Sequence, residues 1–373
     1  MPKPKILHIG GSHSVHVADW VNLLDSEGYE QCIFSYRNER KLIPKHIPVV
    51  GYNYGAFFPN KNLPRQEKSL KNVLLDFVRR EKPDIVHAHF LIMACVPINV
   101  LYEEIKLPLF ISTWSRRIFL PYRVLYDRVQ KAFKHCSCMV MSAPTFYEDI
   151  KTNYDIKHIK YLDINPPIDL SNFHDEQKKD ITVPKILSAR VMGQSYHQEL
   201  LIRALPALFL KHPNSKVTLI IGQHASQGRT YFNRMVLLAK TLGVYEKCSF
   251  IDRGLSQKEF SDLIAQHNIV YSVAEDPGIS QTTVQSAYSG AITIVQNYPA
   301  EIMLLKNNEN VLRTTLNNVS VRNILLYAAD NLQKLQPIMY HNNRFLGGRS
   351  TEKVLPILMS AYNEEFNKGL LNE

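Results

Sequence analysis

The feature that most constrains this chain is a repeated alternation of short apolar runs and longer amphipathic segments. Lys5–Ile9 is an apolar run that ends in a Gly-Gly-Ser turn, and a segment of helical periodicity follows it as far as Gly28. The pattern then repeats, with further strands predicted at Gln31–Tyr36, Pro83–His89, Leu109–Thr113, Cys138–Ser142 and Lys160–Ile164. Short strands that alternate with helices predict a parallel sheet covered on both faces.

A polar stretch that contains two adjacent prolines, Asn165–Asp180, interrupts this alternation and is interpreted as an interdomain linker. A second series of predicted strands follows at Lys185–Ser188, Lys216–Ile221, Cys248–Ile251, Ile269–Val273 and Ile292–Val295. We therefore predict an α/β protein with two Rossmann-like parallel-sheet domains facing a cleft. The first spans 1–164, the linker 165–180 and the second 181–345. The remaining residues, 346–373, are expected to form a helix that packs back on the first domain. A single helix is predicted over Val321–Leu335.

Composition narrows the class of protein. The 373 residues include 44 Lys and Arg against 34 Asp and Glu, a net charge of +10 that suits anionic partners or simply gives a basic surface. No extended basic run is present, so a nucleic-acid-binding tail is not expected. Five irregularly spaced cysteines argue against a disulfide framework. The sequence predicts no signal peptide and no membrane span, so a cytoplasmic location is expected.

Ligands of open parallel sheets bind at the carboxyl ends of the strands, so the loops there are the candidates. Gly10–His16 follows the first strand, and its glycines would let a ligand approach the backbone. It lacks the G-x-G-x-x-G pattern of dinucleotide sites, and a simple tight turn is the alternative. Arg190 follows a predicted strand in the second series and could clamp a diphosphate, or it could be an ordinary surface arginine.

A third loop, Ala274–Gln285, runs from a strand into a helix. Gly278 frees its backbone, and Ser280, Gln281 and Thr282 place donors at the helix start. This favours a phosphate cradle, with plain N-capping as the alternative.

Two further groups lie at strand ends. His87 and His89 put two imidazoles on one side of a strand, where a metal site would need a third ligand that the sequence does not indicate. A substrate-facing or a core position is the alternative. Trp114 and Arg116 follow the next strand and suit a sugar or an anionic acceptor, or a basic surface turn.

Several segments together resemble the motifs of one family. They are Ile6–Leu24, Lys82–His89, Ile164–Phe173, Ile186–Arg190, Leu242–Phe250 and Val284–Val295. Over residues 5–320 the chain resembles a GT-B glycosyltransferase, similar to the retaining glycosyltransferase family 4 (glycosyltransferase group 1).

The resemblance implies a retaining, metal-independent glycosyltransferase of the hexosyltransferase type. No cofactor is implied, and the donor would be a UDP-, GDP- or ADP-sugar. The acceptor would be a glycan or a lipid-linked intermediate of surface-polysaccharide synthesis. Peripheral contact with the inner face of a membrane is implied as well, and nucleic acid is not expected as a partner.

The resemblance also implies site residues. Catalytic contacts would come from His16, Arg190 and Glu275. Donor contacts would come from Gly10, Gly11, Ser12, Arg190, Tyr196, Gly222, Gly278, Ile279, Ser280, Gln281, Thr282 and Gln285. Acceptor contacts would come from His16, His87, His89, Trp114 and Arg116.

The chain departs from the family pattern at its best-known motif. Pro277 and Gln285 stand where the E-x7-E motif has its glutamates, and Ser195 stands where a phosphate-binding lysine is usual. These departures leave two alternatives open. One is a catalytically degraded GT-B protein that binds nucleotide or glycan, and the other is an enzyme of the nucleotide-sugar 2-epimerase kind.

Overall fold

The structure is a computed structural model. It describes residues 2–36, 40, 42–52, 63–113, 123–141, 144–164, 167–173, 179–222, 225–275, 280–297 and 305–370. The chain divides into two compact units: unit 1 is 1–167 with 351–373, and unit 2 is 168–350. Each unit is built on its own parallel sheet, so the predicted α/β class with two Rossmann-like domains is confirmed.

Within the described ranges, unit 1 contains seven parallel strands. They are β1 (Ile6–Ile9), β2 (Gln31–Ser35), β3 (Val49–Gly51), β4 (Ile85–His89), β5 (Leu109–Ser112), β6 (Cys136–Val140) and β7 (Lys160–Leu162). Their spatial order is β3-β2-β1-β4-β5-β6-β7. The helices between them are α1 (Val15–Ser26), α2 (Leu63–Glu81), α3 (Leu91–Leu101), α4 (Arg123–Phe133) and α5 (Pro144–Asn153).

The core of unit 1 includes the last long helix of the chain, Thr351–Leu370. Tyr362 of this helix is fully buried, and its ring meets the edge of Phe110 at a centroid distance of 4.7 Å. Trp20 of α1 is buried in the same cluster. The helix therefore supplies part of the apolar surface that covers the sheet.

Unit 2 contains six parallel strands among its described residues. They are β8 (Lys185–Ser188), β9 (Lys216–Ile220), β10 (Cys248–Ile251), β11 (Ile269–Tyr271), β12 (Ile292–Gln296) and β13 (Leu312–Thr314), in the spatial order β10-β9-β8-β11-β12-β13. The helices are α6 (Gln198–Lys211), α7 (Ala225–Thr241), α8 (Gln257–Ala265), α9 (Gln281–Tyr288), α10 (Asn318–Asp330) and α11 (Leu332–Asn342). The C-terminal helix Thr351–Leu370 is α12.

Local signals account for helix boundaries in unit 2. Ser256 starts α8 with a capping box, in which its hydroxyl accepts from the Glu259 N–H and the Glu259 side chain accepts in return. The single helix predicted over Val321–Leu335 is wrong, because the chain leaves helical geometry at Asn331 (φ −117°, ψ 23°) and forms α10 and α11 instead.

The apolar helix α3 is only eleven residues long, well short of a bilayer. Among the described residues, no helix has both the length and the hydropathy required to cross a membrane.

Candidate functional site

Both sheets contain a point where the order of the strands reverses, and ligands of open α/β sheets bind at such points. In unit 1 the reversal lies between β1 and β4, and in unit 2 it lies between β8 and β11. The residues that follow these four strands are therefore the candidates that the topology selects.

In unit 2 the two sides of the reversal are joined by a side-chain hydrogen bond. Arg190 lies two residues beyond β8, and Ser272 directly follows β11. The Nε–H of Arg190 donates to the Ser272 hydroxyl at 3.3 Å, and the guanidinium lies 5.3 Å from the centroid of the Tyr196 ring. These contacts hold a permanent cation at the carboxyl edge of the sheet.

Two more hydroxyl groups connect Ser272 to the start of α9. Ser272 Oγ lies 3.0 Å from Thr283 Oγ1, which in turn lies 3.0 Å from Ser280 Oγ. Ser280 is the N-cap of α9 and accepts a hydrogen bond from the Thr283 N–H. Arg190 is thus linked through hydroxyl groups to a helix N-terminus, where backbone N–H groups attract anions.

The buried side-chain amide of Gln198 holds the loop that follows Arg190. Gln198 donates from Nε2 to the carbonyl of Val191 and accepts at Oε1 from the N–H of Gly193. Gly222, at the end of β9, has a φ of +79°, and a Cβ there would lie 2.7 Å from Val191 Cγ1. Both its backbone conformation and its close approach to this loop therefore require glycine.

Glu275, beyond β11, is anchored beside this loop. Its N–H donates to the Ser195 carbonyl at 2.9 Å, and its carboxylate lies 3.2 Å from His197 Nε2. His197 Nδ1 faces Glu199 at 3.1 Å, and the Tyr231 hydroxyl also bonds Glu199. Burial, together with the Glu199 carboxylate, raises the pKa of Tyr231. The phenol therefore stays protonated and donates a hydrogen bond to Glu199.

His197 occupies an unusual backbone position, with φ +49° and ψ 40°. The Tyr271 hydroxyl donates to its carbonyl at 3.0 Å. This left-handed conformation costs free energy in a residue other than glycine, and such residues concentrate at functional sites.

The predicted ribose contact, Gln285, lies on the inward face of α9 and is 5% exposed. Its side-chain amide makes no hydrogen bond to any residue that the structure describes. Gly278, Ile279, Trp114 and Arg116 lie outside the described residues.

In unit 1 the glycines of the predicted loop are closely packed. A Cβ on Gly10 would lie 3.2 Å from the His89 Cβ, and one on Gly11 would lie 2.8 Å from the Tyr36 ring. Ser12 is buried and shares a hydrogen bond of 2.9 Å with the Ser35 hydroxyl. The loop therefore packs directly against the end of β4.

Three buried histidines meet at the strand reversal of unit 1. His8 and His87 are paired in register on β1 and β4, and ring nitrogens of His8, His87 and His89 all lie within 4.8 Å of one another. His8 is the third imidazole that the sequence did not indicate. Three imidazoles at this spacing can ligate a transition metal. The hydrogen bonds of their ring nitrogens distinguish a metal site from a hydrogen-bonded cluster.

Those hydrogen bonds form a chain of fixed direction. The Gln31 amide donates from Nε2 to the Val21 carbonyl, so its oxygen accepts from His8 Nε2–H at 2.9 Å. A neutral His8 must then accept at Nδ1, 3.0 Å from His89 Nε2. The two rings are parallel to within 14° and their centroids are 5.3 Å apart. The line between the two nitrogens therefore lies close to the planes of both rings. This is the geometry of an N–H···N hydrogen bond.

His87 is held separately. Its Nε2 lies 2.7 Å from the Ser112 hydroxyl, and its Nδ1 bonds the Tyr362 hydroxyl. Both ring nitrogens are therefore bonded internally, which favours the core position that the sequence left open for His87. Burial lowers the pKa of His8 to about 4 and holds the pKa values of His87 and His89 well below the usual range.

His16, in the first turn of α1, lies near enough to His89 that a charge on it would lower the His89 pKa further. Sequence reasoning missed His8, Gln31, Ser272, Thr283 and His197. A signal existed for His8, because it occupies the same place in β1 as His87 in β4, but the pairing of those strands cannot be read from the sequence.

No protein-family model matches the chain, and no curated protein matches its sequence. Solved structures match its fold over nearly the full length. A glycosyltransferase from Rickettsia africae ESF-5 is 15% identical with a TM-score of 0.77, over 98% of this chain and 99% of that one. Sucrose-phosphate synthase from Thermosynechococcus elongatus is 11% identical with a TM-score of 0.79, over 98% and 100%.

A third similar structure is Anabaena HepE in complex with UDP and glucose. It is 14% identical with a TM-score of 0.74, over 99% of this chain and 100% of that one. At these identities the likeness concerns the fold. The chain therefore has the fold of two Rossmann-like domains, GT-B, that its sequence motifs predict.

Proposed function

We propose that the protein is a glycosyltransferase that moves a sugar from a nucleotide-sugar donor to an acceptor. The observation that carries this proposal is the hydrogen bond between Arg190 and Ser272 at the strand reversal of unit 2. It places a cation next to the N-terminus of α9, at the edge of the sheet where ligands of such folds bind. The GT-B fold and the motif resemblance support the same function.

Arg190 and the N-terminus of α9 would bind the diphosphate of the donor. Negative charge grows on the diphosphate as its bond to the sugar breaks, so these groups bind the transition state more tightly than the ground state. Removal of one such contact typically lowers turnover by roughly 10²–10³-fold. Because protein groups supply the positive potential, the proposed reaction needs no divalent metal and no cofactor.

The proposed donor set has further members. Glu275, whose N–H is bonded to the Ser195 carbonyl, would accept hydrogen bonds from hydroxyls of the transferred sugar. Gln285 would bond the ribose through its neutral amide, and Tyr196 would line the same side as Arg190. The set is completed by Gly222, Gly278, Ile279, Gln281 and Thr282, and in unit 1 by Gly10, Gly11 and Ser12.

The acceptor would contact unit 1 through His16 and His89, with Trp114 and Arg116 as further members of the proposed set. We propose a glycan or lipid-linked acceptor of surface-polysaccharide synthesis, transfer with retention, and peripheral contact with the inner face of a membrane. The net charge of +10 supports an anionic acceptor or surface.

Binding and turnover measured together test this proposal. Uridine nucleotides come first, because HepE was solved with UDP. Titration calorimetry with UDP, GDP and ADP should show selective binding of one of them. Arg190→Ala should weaken it at least about 100-fold. Arg203→Ala, which removes an exposed arginine of α6, should leave the affinity unchanged.

Incubation with the matching nucleotide sugar and a mixture of glycan acceptors should then yield a new glycosidic bond. Absence of binding to every nucleoside diphosphate would overturn the proposal. Tight binding without any transfer to an acceptor would point to a binding protein, and an altered nucleotide sugar formed without acceptor would point to an epimerase.

A further inference from the structure

The hydroxyl groups between Arg190 and α9 form a chain of hydrogen bonds. The inference drawn from them deepens the proposed function and rests on it. Its members come from three separate places: Arg190 follows β8, Ser272 follows β11, and Thr283 with Ser280 starts α9. Ser272 is 3% exposed and Thr283 is fully buried. Buried hydroxyls need hydrogen-bond partners, and these two find them in one another and in their neighbours in this chain.

The chemistry of the members fixes the first hydrogen bond, and a ligand that accepts from Ser280 selects the direction of the others. Arginine can only donate, so Ser272 Oγ accepts from Arg190 Nε–H. The Ser272 proton then suits Thr283 Oγ1, and the Thr283 proton suits Ser280 Oγ. Ser280 already accepts from the Thr283 N–H as well. With this direction, the hydroxyl proton of Ser280 is the one that the chain of hydrogen bonds leaves for a further acceptor.

That remaining proton lies at a helix N-terminus, next to the N–H of Thr282. Thr282 is the second residue of α9, and the first N–H groups of a helix have no partner within the helix. A hydroxyl proton, a backbone N–H and the guanidinium of Arg190 are all donors, and a phosphate group accepts from such donors.

We infer that Ser272 and Thr283 are positioning residues, which fix Arg190 and the Ser280 hydroxyl so that both donate to the same diphosphate. They do not touch the ligand. Without Ser272 the long arginine side chain regains its rotamer freedom, and binding must pay for ordering it again. Without the Thr283 hydroxyl, the Ser272 and Ser280 hydroxyl groups lose their common partner.

The test uses three probes that differ only in phosphate, each titrated into the full-length protein: UDP, UMP and uridine. The guanosine or adenosine series replaces them if calorimetry selects that base. Ser272→Ala should weaken UDP binding about tenfold while the affinity for uridine stays unchanged. Thr283→Val keeps the shape of the side chain but removes the hydroxyl, and should do the same. Thr283→Ser restores the hydroxyl and should restore the affinity for UDP.

A matched control lies one turn further along the same helix. Ser286 is fully buried, and its hydroxyl has no hydrogen-bond partner among the described residues. Ser286→Ala should therefore leave the binding of all three probes as in the wild type. Should Ser272→Ala fail to fold, the comparison of Thr283→Val with Thr283→Ser decides alone.

The outcomes separate the two proposals. If the wild type binds UDP and both hydroxyl-deleting variants bind UDP, UMP and uridine as well as it does, the positioning role is wrong and the donor site stands. Equal losses for all three probes would show a merely structural role and also overturn the inference. A wild type that binds no nucleoside diphosphate would overturn the proposed function and this inference together.

Discussion

His89 donates a hydrogen bond from Nε2 to Nδ1 of His8 at 3.0 Å, in line with both rings. The direction of this bond follows from Gln31, two links away, whose amide orientation is set by the Val21 carbonyl. A glutamine on one strand therefore determines the tautomer of a histidine at the end of another. The same bond decides between a metal centre and a hydrogen-bonded cluster, because a metal would need the His8 lone pair that the His89 proton occupies.

The tautomers can be measured directly. In long-range ¹H–¹⁵N spectra at pH 7, His8 and His89 should both appear as neutral rings protonated at Nε2. Addition of one equivalent of Zn²⁺ should leave these signals unchanged. A shift of both histidines on addition of Zn²⁺ would show that the cluster is a metal site after all.

Removal of the first link should be costly. Gln31→Leu leaves the buried N–H of His8 without its acceptor, which costs roughly 1–3 kcal/mol of unfolding free energy. Gln130→Leu on α4 removes an amide whose hydrogen bonds to Asp155 are exposed to solvent, and it should cost less. The free energies would come from urea unfolding, and equal losses in the two variants would contradict the buried chain.

Unit 1 should lose stability already at mildly acidic pH. The folded pKa values of His8, His87 and His89 lie below the value of about 6.5 for an unfolded chain, so only the unfolded state takes up protons as the pH falls through 6.5. Stability is therefore present above pH 6.5 and is lost below it, by about 3 kcal/mol between pH 6.5 and 5.5 for three such groups.

Tryptophan fluorescence can follow this loss, since both tryptophans of the chain, Trp20 and Trp114, belong to unit 1. His8→Gln removes one of the three titrating groups and should reduce the pH dependence by about a third. A flat dependence in the wild type would show that the cluster takes up protons without unfolding.

Two glycines of unit 2 form a matched pair. Gly222 and Gly243 both have positive φ, but a Cβ on Gly222 would meet Val191 Cγ1 at 2.7 Å, whereas one on Gly243 has nothing within 4 Å. Gly243→Ala should cost about 1–2 kcal/mol through its backbone alone. Gly222→Ala should cost about 1–3 kcal/mol more.

Only Gly222→Ala should also weaken UDP binding, because the displaced Val191 adjoins Arg190. Calorimetry on both variants would check this. Equal affinities for UDP in the two variants would show that the loop after β8 does not position the proposed diphosphate contact.

Glu275 separates binding from turnover. Glu275→Gln keeps the size of the side chain but removes the negative charge that lies 3.2 Å from His197 Nε2. We expect sugar transfer to fall at least about tenfold, with the Kd of UDP unchanged within about twofold. Transfer rates with saturating donor, measured beside UDP titrations, give both numbers. Parallel losses of affinity and rate would instead place Glu275 in the binding of the nucleotide.

Local patterns were sufficient to predict most of the architecture. Apolar runs that end in glycine or polar loops marked the strands, and the carboxyl-edge rule then selected the loops that hold Arg190 and Glu275. Helix α3 was not predicted, since it is buried on nearly every side and has no amphipathic periodicity to detect. The short edge strands β3 and β13 carry too few residues for a pattern.

The parts of the candidate site that sequence reasoning missed depend on long-range pairing. His8 meets His87 only because β1 pairs with β4. The two paired histidines are 79 residues apart in the sequence. Ser272 meets Thr283 across a loop, and nothing in the composition of either segment distinguishes them from ordinary caps. Residues of the predicted linker also take part in a core: Ile168, Leu170 and Phe173 are buried in unit 2.

The place of α12 in the chain has a consequence for how the protein is made. Unit 1 depends on Tyr362 for its core and for a bond to His87, yet the ribosome delivers that residue only after the whole of unit 2. During translation, unit 2 can reach its native state while unit 1, begun first, still exposes the surface that Trp20 and Phe110 share with the missing helix. Of the two units, the one whose synthesis begins first is thus completed last, and in that interval its uncovered apolar surface is prone to aggregation.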